Sequence, residues 1–461
     1  MEQEQEQEPT SKDVIEELEQ LVSSERAPDL ASALKRLPPA DAGWVLSRIK
    51  EEQRARMFAL LSAEDPELAA TLIDHVADEQ AARFISVLPP EAAAAIVDEM
   101  ESDQQADILE RLKDEDAQAI LIEMDPEDAE EVRRLVQYPS DTAGGLMITE
   151  YLAHPGSRRI DEVLADLRAN AEQYAKYDVQ YVYVTDDGGA LAGVIRLRDL
   201  VLTPGMRTIA SIMIAKPAHV KVDDRQQELE HFFDHHAFFA APVVDAAGLL
   251  VGVVRRAAVE KAHAAQAERT FLAFGGIIGG EELRSMPTPN RIARRLAFLC
   301  PNILLNVLAA SVVALYEPTI AAVTALAIFL PMLSDMSGCA GNQAVAVSIR
   351  ELSIGVLKPT DLFHTLSKEV GVGIVNGIVL GTLIGIIAWV MRGGEWPLIG
   401  VVVGLAMALN SVVAGAVGGS VPLFLKRLGI DPALASSPLL TTFTDMCGFF
   451  LTLSLASAIL L

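Results

Sequence analysis

The chain has 461 residues, 51% of them hydrophobic, and a formal net charge of −26 at pH 7. That length allows several domains, and the excess of carboxylates argues against nucleic-acid binding while leaving cations as plausible partners. Ordinary solubilising charge is the simpler alternative. Acidic residues dominate residues 1–290, and nearly all long apolar runs fall in residues 296–461. A soluble acidic half therefore precedes a membrane half.

The N-terminus and the cysteines limit the compartment and the chemistry. Residues 1–8, MEQEQEQE, lack the basic and apolar regions of a signal peptide, so we expect the first half in the cytosol. Cys300, Cys339 and Cys447 show no CxxC spacing and are predicted to be small apolar fillers. We find no phosphate-binding loop, nucleophile elbow or histidine cluster in the sequence, so we do not expect an enzyme.

Residues 1–137 contain a twelve-residue repeat, which predicts an all-α superhelical N-terminal domain. Most units open with Asp, Ser, Pro or Glu and continue with apolar residues at helical spacing, which predicts short capped helices. Its acidic side chains are most simply a solvated face. Glu67, Glu99 and Asp103 are the candidates to meet a cation at a domain boundary. The repeated apolar positions are Val76, Leu88, Met100, Leu112, Met124 and Val136.

Residues 138–262 contain two copies of one design, about sixty residues apart. Each has a β-rich run ending in Asp, a Gly-bearing turn, a second strand containing Gly-Val, and a helix start. The pair resembles tandem α/β cystathionine-β-synthase (CBS) domains, and the resemblance implies ATP or another adenine nucleotide as a ligand. Arg198 and Asp199 match the nucleotide-contacting helix start, although an Asp that caps a helix needs no ligand.

Five apolar segments of spanning length predict a five-span α-helical transmembrane domain at residues 293–461. They are residues 296–316, 320–347, 370–391, 398–425 and 434–461. Pro331 and the glycines of residues 338–341 predict a broken or kinked second span. In the connecting segment, residues 263–292, Gly275, Gly276, Gly279 and Gly280 predict a helix that ends near Phe274 and resumes near Arg291.

Basic residues set the predicted orientation. They cluster before span one, between spans two and three and between spans four and five, whereas the two other loops carry Arg392 together with Glu317 and Glu395. By the positive-inside rule the N-terminal domains are cytoplasmic. Five spans then place the C-terminus outside a multi-pass protein of the plasma (inner) membrane.

Polar residues within the spans are few and mostly offer oxygen, the ligand that Mg²⁺ prefers. Asp445 is the leading candidate for a cation site in a pore, because a carboxylate costs about 2.5–3.5 kcal/mol at the bilayer centre. A protonated carboxyl bonded to a neighbouring helix is the alternative. Asp335 is a second candidate metal ligand in the pore, with a position at a helix break or near the membrane surface as the alternative. Asn342 and Gln343 line the pore or bond between helices. The remaining pore-lining candidates are Gly338, Gly341, Thr441 and Thr444.

Five spans from one chain enclose a pathway poorly, so we predict a homodimer with the pore on its two-fold axis. The domain order and three motifs, YPSDTAGGLM, VGVGIVNGIVLG and LKRLGIDPALASSPLLTTFTD, resemble the MgtE family of magnesium channels and transporters. The resemblance implies a dimeric Mg²⁺ pore in which Asp445 binds the hydrated ion and Asp431 lies near the cytosolic mouth. It also implies cytosolic domains that close the pore when Mg²⁺ bridges their acidic faces.

The chain departs from that family in two places. Ala257, Ala258 and Lys261 replace the usual acidic run after the second CBS module, which predicts weakened Mg²⁺ gating. Cys339 replaces an Asn of the usual span-two motif, so coordination in this arm is expected to differ.

The leading hypothesis is a passive Mg²⁺ influx channel regulated by its cytosolic domains. A Co²⁺, Mn²⁺ or Ni²⁺ pathway, or coupling to protons or Na⁺, is the alternative within transport. A membrane-anchored CBS nucleotide sensor is the alternative from another class. The sensor hypothesis assigns no role to Asp445 or Asp335.

Overall fold

The structure is a computed structural model that describes residues 11–175, 177, 180–278, 286–391 and 397–461. The chain divides into two compact units, Met1–Ala265 and Gln266–Leu461. The predictions that involve residues 1–8, Gly279, Gly280, Arg392 and Glu395 lie outside the described residues.

The N-terminal part of the first unit is all-α, as predicted. From α5 onward each helix begins twelve residues after the previous one, which confirms the repeat. One apolar position recurs in register and is buried in a common core as Ile73, Ile85, Val97, Leu109 and Leu121. The helices are α1 Ser11–Ser23, α2 Ala27–Lys35, α3 Pro39–Arg48, α4 Glu51–Glu64, α5 Pro66–Asp74, α6 Asp78–Ser86, α7 Pro90–Val97, α8 Ser102–Arg111, α9 Asp114–Glu123 and α10 Pro126–Leu135.

Side-chain capping of these repeated helices is less general than predicted. Asp65 accepts a hydrogen bond from the backbone N–H of Leu68 at 3.1 Å, and Asp125 accepts one from Glu127 at 3.0 Å. Helices α5, α7 and α10 begin with proline, which has no N–H to satisfy. The positions before the other repeated helices make no such bond: Ala77, Pro89, Glu101 and Lys113.

The rest of the first unit holds two four-stranded sheets, ordered β2-β3-β4-β5 and β1-β8-β7-β6. In each sheet a parallel pair is followed by an antiparallel pair, so the predicted duplication is confirmed. The elements are α11 Ala143–Leu146, β1 Met147–Ile148, β2 Leu152–Pro155, α12 Ile160–Ala169, α13 Ala171–Tyr174, β3 Tyr181–Thr185, β4 Leu191–Arg196, α14 Leu197–Leu202, β5 Ile214–Ala215, β6 Val220–Lys221, α15 Gln226–His235, β7 Ala240–Val244, β8 Leu250–Arg255 and α16 Arg256–Phe274.

The two modules share their turn chemistry. Asp186 Oδ1 accepts backbone hydrogen bonds from Gly188 and Ala190, both at 2.9 Å, within the β3–β4 turn. Asp245 makes the equivalent bonds in the β7–β8 turn. Gly189 and Gly248 have φ of +85° and +82°, a conformation that favours glycine. The Asp and Gly of the predicted pattern therefore build one type of hairpin turn twice.

The second unit is helical. Four of its described helices, α17, α20, α21 and α22, are long and apolar enough to cross a membrane. Helix α19 is also 28 residues long but carries Asp335, Asn342 and Gln343 and is not among them. Helix α16 ends at Phe274, as predicted, and α17 begins slightly before Arg291. The helices are α17 Thr288–Leu315, α18 Glu317–Ala322, α19 Leu326–Ser353, α20 Leu362–Met391, α21 Pro397–Arg427 and α22 Pro432–Ile459.

The sequence predicts that Pro331 and residues 338–341 break or kink the span; the break is wrong, because α19 continues through both. The chain turns earlier, at residues 323–325, between α18 and α19. A glycine costs about 1 kcal/mol inside a helix, but here the glycines allow close helix packing. A Cβ at Gly341 would approach the Leu440 side chain to 2.8 Å.

Close packing also joins α20 to α21. Glycines recur every fourth residue on α20, and a Cβ at any of them would meet α21 backbone at 2.5–2.9 Å. Their backbone partners run in the opposite direction along α21, so the two helices are antiparallel. The pairs are Gly373 with Ser411, Gly377 with Ala408, Gly381 with Gly404 and Gly385 with Gly400.

Candidate cation site

Asp445 lies near the middle of α22, a helix that is otherwise largely apolar. The helix begins after Asp431, whose side chain accepts a 2.8 Å hydrogen bond from the N–H of Ala433. Asp431 is therefore an exposed helix cap in this structure. The hydroxyls of Thr441 and Thr444 bond to carbonyls of the preceding turn of their own helix. Such bonds satisfy both threonines without a ligand.

Ser334 holds the Asp445 carboxylate. Its hydroxyl donates a 2.6 Å hydrogen bond to Asp445 Oδ1, joining α19 to α22. Sequence reasoning missed Ser334 and selected its neighbour Asp335, which is exposed in the single chain. Successive helix residues point about 100° apart, so the two side chains lie on different faces. The contact resembles the alternative foreseen for Asp445, a carboxyl bonded to a neighbouring helix.

A periodic signal could have identified Ser334. Ser334, Gly338 and Gly341 follow the spacing i, i+4, i+7, which puts small residues on one helix face. That face packs on α22: a Cβ at Gly338 would lie 3.8 Å from the Thr441 side chain. Gly338 and Gly341 are thus buried packing positions in the single chain.

Asn410 links three helices at a point about one helical turn from the Ser334–Asp445 bond. Its side chain on α21 is fully buried, and Nδ2 donates to Ser337 Oγ of α19 at 2.6 Å and to the Thr444 carbonyl of α22 at 3.1 Å. The Ser337 hydroxyl in turn donates to the Leu333 carbonyl at 2.5 Å. Asn410 therefore contacts Ser337, one turn from Ser334, and Thr444, the residue before Asp445.

The other polar candidates on α19 do not join this network. Gln343 is exposed in the single chain, as Asp335 is. Asn342 is half-buried, and its Oδ1 has no hydrogen-bond partner among the described residues. Asp335 lies inside a continuous helix, so the predicted position at a helix break is wrong.

The acidic candidates of the first unit also remain apart. Glu67 is exposed in the first turn of α5, and the described residues contain no group of three His, Cys, Asp or Glu side chains suited to a metal. Asp103 is mostly buried on α8, 3.9 Å from Arg255. Burial raises the pKa of Asp103 to about 7, with Glu101 acting in the same direction and Arg255 against it. Glu99 is half-buried.

Direct ion pairs join α8 and α5 to the second CBS module. Arg255 makes two hydrogen bonds to the Glu101 carboxylate, one of them 2.5 Å long. Lys261 Nζ lies 3.1 Å from Asp74 Oδ1. Side chains of the protein thus supply the positive charges that balance Glu101 and Asp74 at this contact.

The nucleotide candidates lie side by side on α14. Arg198 Nε is 3.4 Å from Asp199 Oδ1, and both side chains are exposed. The residue before the helix is Arg196, so the predicted role of Asp199 as helix cap is wrong. Asp199 instead occupies the first turn, where its charge favours the helix dipole.

Comparison with known proteins gives the family. Residues 330–455 match the MgtE profile, described as a divalent cation transporter, and residues 37–141 match the MgtE intracellular N domain. The magnesium transporter MgtE of Thermus thermophilus is 35% identical over 337 residues, covering 73% of this chain and 74% of that protein. The Bacillus subtilis magnesium transporter MgtE is 27% identical over 432 residues, covering 93% and 94%.

A crystal structure of the cytosolic domain of the Mg²⁺ channel MgtE in complex with ATP superimposes with a TM-score of 0.49 and 31% identity, covering 54% of this chain and 99% of that one. The resemblance inferred from the sequence motifs is confirmed by the family profiles and the curated relatives. The chain belongs to the MgtE family of divalent cation transporters.

Proposed function

We propose that this protein is a Mg²⁺ channel in which Asp445 forms the ion site. The observation that carries the proposal is a half-buried carboxylate inside an apolar helix, with one oxygen held by Ser334. Ser334 is its only hydrogen-bonding partner in the part of the chain that the structure describes. The second oxygen is then available to a cation or to its bound water.

Mg²⁺ suits such a sparse site because it dehydrates reluctantly and is often held by one or two carboxylates. A homodimer would place two copies of Asp445 around a two-fold axis, one from each chain. The related proteins are named magnesium transporters, which favours this ion over Co²⁺, Mn²⁺ or Ni²⁺.

The contacts of α19 support five spans. Pairs Ser337–Asn410 and Ser348–Gly419 run in the same direction along α19 and α21, so these helices are parallel. The Ser334–Asp445 bond and the contact of Gly341 with Leu440 make α19 and α22 antiparallel. Alternating spans α17, α19, α20, α21 and α22 satisfy both relations. With the basic loops inside, the N-terminus is cytoplasmic and the C-terminus lies outside the plasma membrane.

Regulation by the cytosolic unit follows from its internal ion pairs. Arg255 and Lys261 form direct ion pairs between the N-terminal domain and the second CBS module. Mg²⁺ therefore has less repulsion to relieve at this contact, and we propose that gating by cytosolic Mg²⁺ is weakened here. Regulatory Mg²⁺ at Glu67, Glu99 and Asp103, and an adenine nucleotide at Arg198 and Asp199, stay predictions.

The direct test is Mg²⁺ uptake by the full-length protein in proteoliposomes. Asp445→Ala and Asp445→Asn should abolish most uptake, while Glu317→Gln, which alters an exposed carboxylate of the same unit, should leave it unchanged. Full uptake by Asp445→Ala would contradict the proposed site. Adding Co²⁺, Mn²⁺ or Ni²⁺ as competitors and varying pH and Na⁺ separates the alternative cargo ions and coupled transport. Absence of any flux would favour the CBS sensor.

A further inference from the structure

Asn410 is the side chain that bonds to both helices of the Ser334–Asp445 contact. Its Nδ2 reaches Ser337, one turn from Ser334, and the carbonyl of Thr444, the residue before Asp445. The amide is fully buried between α19, α21 and α22. A buried amide that bonds to two other helices restricts both their rotation and their relative depth.

The orientation of this amide follows from its partners. The Thr444 carbonyl only accepts hydrogen bonds, so the nitrogen of Asn410 must face it. Asn410 Oδ1 has no partner among the described residues, so the donor end accounts for the observed contacts. Asp at this position would keep the shape but place carboxylate oxygens against that carbonyl.

The neighbouring backbone is shaped to admit the amide. Gly448 faces Asn410, and a Cβ at that position would come within 2.6 Å of Nδ2. Gly448 is one turn beyond Thr444 and three residues after Asp445. The spacing Asp-x-x-Gly on α22 thus places the Asp445 carboxylate and the glycine that contacts the Asn410 amide on consecutive turns.

We propose that Asn410 is a positioning residue for Asp445, acting through Ser337 and the Thr444 backbone. It sets the register of α19 against α22, so that Ser334 reaches Asp445 Oδ1 and fixes the direction of the carboxylate. This inference rests on the proposed function of Asp445 as the ion site. A carboxylate that can rotate freely would distinguish poorly between hydrated Mg²⁺ and ions that shed water more readily.

The test compares Asn410→Leu, Asn410→Asp and the control Ser411→Ala in full-length protein reconstituted in proteoliposomes. Ser411 is also buried, but among the described residues its hydroxyl bonds only to Met407 of its own helix. Both Asn410 variants should lower the ratio of Mg²⁺ to Mn²⁺ uptake by about three- to tenfold, while Ser411→Ala keeps the ratio of the unmodified protein. An unchanged ratio in Asn410→Leu would overturn the proposal.

Two further variants cover the remaining outcomes. Ser337→Ala removes the α19 acceptor of the Asn410 amide without altering α21. If Asn410→Leu does not fold, this variant decides the question. A lowered ratio of Mg²⁺ to Mn²⁺ uptake in Ser337→Ala supports the proposal, and an unchanged ratio overturns it. Asp445→Asn is measured in parallel. Normal uptake by Asp445→Asn refutes the proposed function itself, whereas lost uptake there with a normal ratio in the Asn410 variants refutes only the positioning role.

Discussion

Lys261 and Asp74 form an ion pair 3.1 Å long between residues 187 positions apart in the chain. Both side chains are substantially exposed, so this pair alone contributes about 0–1 kcal/mol. Its importance lies in the sign of the charge: Lys261 meets the Asp74 carboxylate directly, so a positive side chain already balances this acid.

Reversing that charge should restore dependence on Mg²⁺. In the unmodified full-length protein we expect protease protection of the first unit to change little between zero and millimolar Mg²⁺. In Lys261→Glu the new carboxylate would face Asp74 and repel it. Protease protection should therefore fall without Mg²⁺ and recover when Mg²⁺ is added. The control is Lys221→Glu on the exposed edge of β6. Equal Mg²⁺ dependence in both variants would count against the role of Lys261.

Asp103 should make the first unit less stable as pH rises. Its pKa is about 7 in the folded chain and near 4 when unfolded, so the folded form binds the proton more tightly. The stability that this proton supplies is complete below about pH 4 and is lost as pH rises to about 7. Asp103→Asn should therefore raise the melting temperature more at pH 8 than at pH 5. Glu115→Gln, an exposed change on α9, should show no such difference.

Arg54 should be required for the stability of the helical repeat. Its Nη1 donates to the Leu46 and Ile49 carbonyls at the end of α3, and its guanidinium lies 4.1 Å from the centre of the Phe84 ring. Burial lowers the pKa of Arg54 from its usual value. Arg54→Ala should lower the free energy of unfolding by about 2–4 kcal/mol, since it leaves buried carbonyls without a donor. Urea unfolding of the full chain, monitored by proteolysis, measures the decrease in the free energy of unfolding. A change below about 0.5 kcal/mol would contradict this role.

The close contact between α20 and α21 should not tolerate a larger residue in place of the α20 glycines. A Cβ at Gly377 would lie 2.5 Å from the Ala408 carbonyl, so Gly377→Val forces the helices apart and should cost about 1–3 kcal/mol. Gly371 lies on the same helix with open space around it, and Gly371→Ala should be neutral or slightly stabilising. Thermal unfolding in detergent distinguishes the two variants. Equal thermal stability of Gly377→Val and Gly371→Ala would show that the contact between α20 and α21 can widen without cost.

Sequence alone determined the features that depend on local periodicity and burial. The twelve-residue spacing predicted where α5 to α10 recur, and the paired Asp and Gly turns predicted two similar modules. Glycines after Phe274 predicted the end of α16. Asp445 stood out because a lone carboxylate in an apolar segment is costly wherever the helix packs. The domain order and three short motifs were sufficient to indicate the family.

Tertiary structure decided every contact that depends on how one helix is rotated and placed in depth against another. Pro331 and Gly341 predict a broken helix by local propensity, yet α19 is continuous through both and packs closely on Leu440. The same packing selects Ser334 over Asp335 as the partner of Asp445 and brings Asn410 beside Thr444. Helix propensity is a local property of about 1 kcal/mol per residue, whereas packing and hydrogen bonds between helices join residues more than seventy positions apart.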